Sequence, residues 1–249
     1  MVEILVGCCG YPCSRPKYYE KFKTVEIQST FYKLPKPETA SKWREEAPEG
    51  FVFTFKAFQG ITHPTTSPTW RRSGLSQEEL KGKEYGWLRP TEDNFEAWER
   101  TVEIGELLGA RVCVVQCPPN FKYTKENVEN MKKFFKKVKR KFSIAWEPRG
   151  DWGKYPEEIR KLCRELDLIH CVDPFRQEPL HFSRGMAYFR LHGLGKPSIY
   201  KYKFSDGELE ELAQRARKME REVKEVYFMF NNVYMLEDAL RFLKLVEGA

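Results

Sequence analysis

The chain has 249 residues, a common length for a single (β/α)8 barrel that also leaves room for two smaller domains. Apolar residues make up 41% and charged residues 32%, so the chain can build a substantial core under a strongly solvated surface of the kind found in thermophilic proteins. No segment approaches about 18 uncharged apolar residues and the start has no basic stretch followed by a long apolar one, which excludes a membrane-spanning chain and predicts a soluble, cytoplasmic protein.

The charge balance indicates which classes of ligand suit the protein, and the cysteine count indicates the state of its thiols. Lys and Arg number 43 against 36 Asp and Glu, giving a net charge of +7. This surplus suits an anionic substrate or a nucleic acid, although many proteins with such a charge bind neither. The seven cysteines are read first as thiols. Cys8, Cys9 and Cys13 in "CCGYPC" are reactive, paired or merely structural, and the sequence leaves these alternatives open.

Eight short runs rich in β-branched or aromatic residues follow one another along the chain and predict strands. They are "EILVGCC" (3–9), "VEIQSTFY" (25–32), "FVFTFKA" (51–57), "ARVCVVQC" (110–117), "FSIAWEP" (142–148), "LIHCVDP" (168–174), "MAYFRLHG" (186–193) and "VYFMFNN" (226–232). Eight strands are enough to close a barrel.

Helical sequence lies between most of these runs. The predicted helices span 35–48, 91–110, 124–141, 155–167, 205–225 and 234–248. Thr91, Asp93 or Asn94 is a candidate N-cap of the second helix and Thr124 of the third. Because strand and helix alternate from end to end without a linker, the sequence predicts one α/β domain over 1–249, a TIM-like (β/α)8 barrel.

Two stretches depart from this alternation. Residues 58–90, after strand three, are rich in Pro, Gly, Ser and Thr and are too long for an ordinary turn, so we expect an inserted loop or lid over the barrel mouth. Residues 175–185, after strand six, contain no good helix. We therefore expect the outer helix at this position to be missing or reduced.

Polar side chains recur where the strands end. Side chains alternate across a strand, so Phe189 and Leu191 facing the helices would direct Arg190 and His192 toward the barrel axis. The same reasoning for the other strands gives the inward set Glu26, Lys56, Gln116, Glu147, Arg149 and Asp173. The two amides that end strand eight, Asn231 and Asn232, are expected to join this set at the mouth. Apart from Glu26, which should lie deeper, these residues predict a site at the C-terminal mouth, where barrel enzymes hold their active sites.

Five ordered segments, "VEIQSTFYKLP", "FTFKAFQGITH", "AWEPR", "FRLHG" and "FNN", carry a family resemblance. With these segments the chain resembles the DUF72 family, also called YecE-like, from Gly7 to Asn232. The resemblance implies a TIM-barrel fold and draws attention to Thr62 and His63, but it implies no accepted reaction. The opening "GCCGY" fits the family, whereas Cys13 is an addition.

The chemistry of the residues at the mouth suggests roles for them. Glu147 or Asp173 would serve as general base or metal ligand, with His192 as the acid/base partner. The candidate substrate-binding residues are Lys56, His63, Gln116, Arg149, Arg190, Lys196, Asn231 and Asn232. Barrels often bind phosphate in the loops after strands seven and eight, where "HGLGK" and the two Asn fall. Glu147, Asp173 and His192 could also bind a divalent metal. The sequence does not decide this, because each residue comes from a different strand and spacing along the chain does not show whether they meet.

The sequence therefore predicts a hydrolase that acts on an anionic substrate, either a phosphate ester or a compound derived from nucleic acid. One alternative is a glycoside-hydrolase-like enzyme, in which two carboxylates divide the acid and base roles. Another is a non-catalytic protein that binds a nucleotide or nucleic acid. The inner Glu and Arg residues could also be a purely structural set of ion pairs. The oligomeric state is not determined by the sequence.

Overall fold

A computed structural model describes residues 2–196 and 198–248, and an eight-stranded parallel sheet forms its centre. The strands are Glu3–Cys9 (β1), Thr24–Ile27 (β2), Val52–Lys56 (β3), Val112–Gln116 (β4), Ser143–Glu147 (β5), Leu168–His170 (β6), Met186–Leu191 (β7) and Glu225–Phe230 (β8). Their order is β6-β5-β4-β3-β2-β1-β8-β7. A parallel bridge between Val172 and Phe189 joins the two ends, so the sheet is a nearly closed barrel.

Helices surround the strands. They are Arg15–Tyr19 (α1), Ser29–Tyr32 (α2), Pro37–Glu46 (α3), Gln77–Leu80 (α4), Glu92–Leu107 (α5), Lys125–Lys137 (α6), Pro156–Leu166 (α7), Asp206–Lys218 (α8) and Met235–Glu247 (α9). The six predicted helices are confirmed, but their ends differ from the prediction: α8 ends at Lys218, seven residues before the predicted end at 225. Thr91 and Thr124 are the N-caps of α5 and α6, because their side chains accept hydrogen bonds from the backbone N–H of Asn94 and Asn127 at 3.4 and 3.1 Å. None of the helices in the described residues is long and apolar enough to cross a membrane.

The predicted strand 25–32 is wrong in its second half. β2 ends at Ile27, and the chain turns into the short helix α2. The hydroxyl of Thr30 donates to the carbonyl oxygens of Ile27 (2.9 Å) and Lys56 (2.6 Å), so a side chain takes the place of the next ladder bonds. This turn directs Phe31 and Tyr32 toward the mouth of the barrel.

The alternation predicted for the strands is confirmed. One apolar layer lies between strands and helices and includes Phe53, Phe55, Ile144, Trp146, Phe189 and Leu191. A second, smaller apolar cluster fills the barrel itself and includes Leu5, Val52, Val112, Val114, Ala145, Ile169 and Tyr227. The polar side chains at the mouth therefore rest on an apolar floor.

The segment after β3 has its own small core. Trp70 is buried, its ring stacks on Tyr85 at 5.2 Å, and Phe58 meets it edge-on at 5.7 Å. Asn94 of α5 anchors the segment: its side-chain amide nitrogen donates to the carbonyls of Gly86 and Arg89, and its oxygen accepts from the N–H of Gly86. Gly86 has φ +92°, and a Cβ there would lie 2.4 Å from the nitrogen of Pro64, so the turn requires glycine.

The stretch after β6 contains no helix, as expected. Residues 171–185 form turns and isolated bridges, all within the described part of the chain. A surface cavity of about 450 Å³ lies beside this stretch, lined by Phe182, Phe189, Leu212, Phe228 and neighbouring residues. The seven cysteines are free thiols, and Cys8 and Cys9 are buried.

Candidate functional site

A cavity of about 630 Å³ opens at the C-terminal ends of the strands. Residues predicted from the sequence to bind substrate line it: Lys56, His63, Gln116, Arg149, Arg190 and Asn231. The segment after β3 contributes Pro64 and Thr66–Thr69 to its wall, and Gln28, Tyr32, Asn120 and Tyr200 add further polar groups. The cavity has the size and concave form of a small-molecule site.

Arg190 is the centre of the buried charges below this cavity. Its Nε and Nη2 donate to the two carboxylate oxygens of Glu26 at 3.0 and 2.9 Å, and its Nη1 donates to Oε2 of Glu147 at 2.6 Å. The side chain of Arg190 is 1% exposed and that of Glu26 is fully buried. A planar guanidinium that bridges two carboxylates is rigid, because each of its three nitrogens is engaged.

Glu147 is fully occupied as a hydrogen-bond acceptor. Besides Arg190 it accepts from Nε and Nη2 of Arg149 at 3.0 and 2.8 Å and from the amide of Gln116 at 2.8 and 2.9 Å. Burial alone would raise the pKa of Glu147, but the guanidinium groups of Arg190 and Arg149 outweigh it and hold the pKa well below its ordinary range. Glu147 is therefore a poorer general base than the sequence suggested.

Lys56 lies at the side of this network. Its Nζ donates to Oε1 of Gln116 at 2.7 Å and lies 3.7 Å from the centre of the Phe31 ring. Burial, together with the positive charge of Arg190, lowers the pKa of the Lys56 ammonium from 10.5 to about 7. We call Glu26, Lys56, Gln116, Glu147, Arg149 and Arg190 the mouth cluster. The two carboxylates balance the two guanidiniums, so the protonation of Lys56 decides whether the mouth cluster carries an extra positive charge.

His63 is buried in the cavity wall. Its Nδ1 is 2.8 Å from the hydroxyl of Thr62, and its ring meets Phe31 edge-on at 4.9 Å. Burial, with Lys56 and Arg149 nearby, lowers the pKa of His63 to about 3. The ring is therefore neutral at physiological pH and is a weak base.

Five of the predicted site residues do not line the cavity: Glu147, which lies below it, and Asp173, His192, Lys196 and Asn232. Asn232 was expected to face the mouth, which is wrong: its amide donates to the carbonyl of Tyr202 and to Asp238 of α9, both at 2.7 Å. Asp173 accepts from the backbone N–H of Phe175 and His192. His192 Nδ1 is 3.7 Å from Asp173, and its ring packs edge-on against Tyr200 at 5.7 Å. Asp173 and His192 thus form a pair with each other rather than lining the cavity.

The "HGLGK" turn is explained by packing. A Cβ on Gly193 would lie 2.5 Å from the Cβ of Tyr202, and one on Gly195 would lie 2.8 Å from the carbonyl oxygen of Ser198. Both glycines therefore let the turn approach the following loop closely. Lys196 is exposed and does not line the cavity.

The predicted metal ligands do not come together. Within residues 2–196 and 198–248, no three His, Cys, Asp or Glu side chains are arranged to hold a metal ion. Glu147 is occupied by arginine and glutamine donors, while Asp173 and His192 pair with each other and do not line the cavity. The chemistry on the cavity surface is that of cationic and neutral nitrogen donors.

Sequence reasoning missed part of the lining. Phe31 and Tyr32 were placed in a strand, but α2 turns them to the cavity, and Asn120 in the β4–α6 connection also lines it. Gln28 lines the cavity as well, and its amide donates to Asn231 Oδ1 at 3.3 Å. The run "QSTFY" after a buried strand was the available signal, since Ser and Thr favour a turn there.

The fold and this mouth define the protein as an α/β barrel with a polar, arginine-rich site at the C-terminal ends of its strands. Residues 14–248 match the family described as "Protein of unknown function DUF72", and the chain belongs to this family.

Individual relatives are similar over most of the chain. The UPF0759 protein YunF of Bacillus subtilis (strain 168) is 25% identical over 242 residues, covering 86% of this chain and 79% of its own. A DUF72 family protein from Enterococcus faecalis V583 superposes with a TM-score of 0.76 at 23% identity, covering 99% of this chain and 98% of that one. A D-tagatose 3-epimerase-like protein superposes with a TM-score of 0.59 at 14% identity, covering 99% of both chains, and shares the barrel fold.

Proposed function

We propose that the mouth cavity is the active site of a hydrolase that binds a small phosphate ester. The observation that carries this proposal is the convergence of Lys56, Arg149 and Arg190 on one cavity at the catalytic end of a barrel. Basic side chains that are held in place before the substrate arrives stabilise phosphoryl oxygens without reorganisation, and positioning with electrostatics supplies most of the catalysis in phosphoryl transfer.

Arg149 is the residue best placed to contact the phosphate. Its side chain is 30% exposed, and Nε and Nη2 are held by Glu147. Among the described residues, Nη1 of Arg149 makes no hydrogen bond, so it is free to donate into the cavity. Arg190 is held by Glu26 and Glu147 and contributes charge below the ligand. Asn231 and Gln28 supply neutral donors on the opposite wall.

The water that attacks phosphorus needs a base, and Lys56 is the better of two nitrogen candidates in the cavity. A pKa lowered to about 7 leaves part of Lys56 unprotonated near neutral pH, whereas a pKa lowered to about 3 makes His63 a weak base. Glu147 is not suited to this role because its oxygens already accept five hydrogen bonds from Arg190, Arg149 and Gln116. Sugar hydrolysis by two carboxylates is disfavoured for the same reason, since Glu26 and Glu147 both accept from Arg190.

The test combines a binding measurement with an activity screen. Calorimetric titration with sulfate and with phosphate monoesters measures affinity, and release of phosphate or alcohol from panels of monoesters and diesters measures turnover. We expect Arg149→Ala to weaken anion binding about tenfold and to lower turnover at least as much. Arg160→Ala, which removes an exposed arginine paired with Glu157 on α7, is the matched control and should change neither.

The outcomes separate enzyme from binder. Saturable binding with no turnover of any ester would overturn the hydrolase and leave a phosphate-binding barrel. Equal affinity in the wild type and in Arg149→Ala would remove the mouth cavity as the anion site.

A further inference from the structure

Lys56 is a buried amine with unusual surroundings. The residue is 6% exposed and its side chain lines the mouth cavity. Within the described residues no carboxylate lies within ion-pair distance of its Nζ, although Glu26 and Glu147 belong to the same network. The contacts of Nζ are the Gln116 side-chain oxygen at 2.7 Å and the Phe31 ring at 3.7 Å. A buried lysine that serves only stability normally has an anionic partner.

We propose that Lys56 is a nucleophilic amine that forms an imine with a phosphate-bearing aldehyde or ketone held in the mouth cavity. Three features of the geometry support this assignment. Lys56 lines a cavity large enough for a small ligand, Gln116 fixes the position of the amine by one hydrogen bond, and Arg149 lines the same cavity to hold an anionic group. The surroundings also favour the unprotonated amine that the reaction requires, because burial and Arg190 disfavour its charged form.

The reaction is balanced without a further reagent. The nitrogen lone pair attacks the carbonyl carbon, the C–N bond forms, and the carbonyl π electrons move to oxygen. The two amine hydrogens then pass to that oxygen through solvent in the open cavity, the C–O bond breaks, and one water leaves. The product is a neutral imine on Lys56, and no change of oxidation state occurs.

This inference goes beyond hydrolysis: it shares the anion-binding step and the residue Lys56 with that proposal, but it assigns Lys56 a different chemical role. Ester hydrolysis requires no carbonyl group in the substrate, and imine formation requires no attacking water. The two proposals can therefore fail separately.

Reductive trapping with pyridoxal 5′-phosphate tests the inference on the intact protein. This probe is an aldehyde with a phosphate group, and sodium borohydride fixes any imine as a stable secondary amine that peptide mass spectrometry can locate. We expect Lys56 to be labelled at least about tenfold more than Lys42, an exposed lysine of α3, at low probe concentration and near pH 7. Pyridoxal without the phosphate should label Lys56 several-fold less, and inorganic phosphate should protect it.

Labelling of Lys56 no greater than that of Lys42 would overturn the proposal. Equal labelling by the two aldehydes would overturn the assignment to phosphate-bearing substrates. Lys56→Met should lose the preferential label while Lys42→Met keeps it; because the wild-type peptide map gives the site directly, the test does not depend on the folding of Lys56→Met. Labelling should also rise as pH increases through about 7, with Arg149, Arg190, Glu26 and Glu147 as the fixed charges around the amine.

Discussion

Two polar clusters lie at the same end of the barrel, and they differ in where they face. The mouth cluster surrounds Arg190 and opens onto the cavity. A second set, the helix-side cluster of Asn232, Asp238 and Arg241, is held between the β7–α8 connection and α9. Asp238 accepts from the amide of Asn232 at 2.7 Å and from Arg241 at 3.0 Å, and Arg241 also donates to the carbonyl of Phe204 at 2.7 Å.

The difference shows that a polar strand end is not by itself a site. In the helix-side cluster Asn232 and Arg241 join the end of β8, the β7–α8 connection and α9 to one another, which is the pattern of a structural brace. In the mouth cluster the same residue types leave donors directed at an open cavity, so a ligand can complete their hydrogen bonding. The predictions below test this division, beginning with the largest expected effect.

Arg190→Met should be the most destabilising change in either cluster. It leaves Glu26 fully buried without its guanidinium partner and removes one of the cations beside Glu147. Breaking a buried ion pair from one side costs about 3–5 kcal/mol of unfolding free energy. Chemical denaturation measures it. Arg241→Met, which removes a partly exposed arginine from the helix-side cluster, should cost clearly less, and a loss below about 1 kcal/mol for Arg190→Met would contradict the buried network.

Asn232→Ala should lower stability without changing anion affinity. The substitution leaves the carbonyl of Tyr202 and the buried carboxylate of Asp238 without the amide donor, which costs about 1–3 kcal/mol. Denaturation gives the stability and sulfate titration gives the affinity. A weaker sulfate affinity at unchanged stability would contradict this assignment and indicate that Asn232 contacts the ligand in the mouth cavity.

Asn231→Ala should give the converse result. Asn231 lines the cavity and accepts from Gln28 at 3.3 Å, so its loss removes a donor to the ligand while few protein contacts depend on the side chain. We expect anion affinity to fall by up to about tenfold and the unfolding free energy to change by less than about 1 kcal/mol. The adjacent pair of alanine variants is thus its own control: similar effects from both would break the comparison.

The sequence predicts the barrel because its signals are local and repeated: eight apolar runs, six helical patterns and two threonine caps all agree. Strict alternation also separates the two asparagines, since Phe228 and Phe230 pack toward the helices and Met229 faces the barrel, so Asn231 continues inward and Asn232 outward. Expecting both at the mouth overlooked that parity.

Other features of the site could not be read from the chain. Asp173 lies beyond the end of β6, where turn geometry replaces alternation, and there it accepts backbone N–H groups instead of facing the cavity. Arg190 bridges Glu26 and Glu147, and this pairing depends on the relative heights of β2, β5 and β7 along the barrel axis. The residues contain no signal for that register, so the occupied state of Glu147 emerges only from the structure.

The smallest expected effect concerns the charge of the mouth cluster. Two guanidiniums balance two carboxylates, and the pKa of Lys56 is lowered to about 7, so the cluster gains a positive charge as pH falls through that value. Sulfate keeps its charge over this range and should bind about threefold more tightly near pH 6 than near pH 8, an increment of less than about 1 kcal/mol for a charge a few ångströms away in a wet cavity. His63, with its pKa lowered to about 3, stays neutral throughout and cannot produce the change.

Calorimetric titration of wild type and Lys56→Met at both pH values measures the difference. If Lys56→Met keeps the pH dependence, another group produces it and Lys56 does not contribute to the charge balance of the mouth cluster. If Lys56→Met loses the pH dependence, protonation of this one amine gives the mouth cluster its extra positive charge.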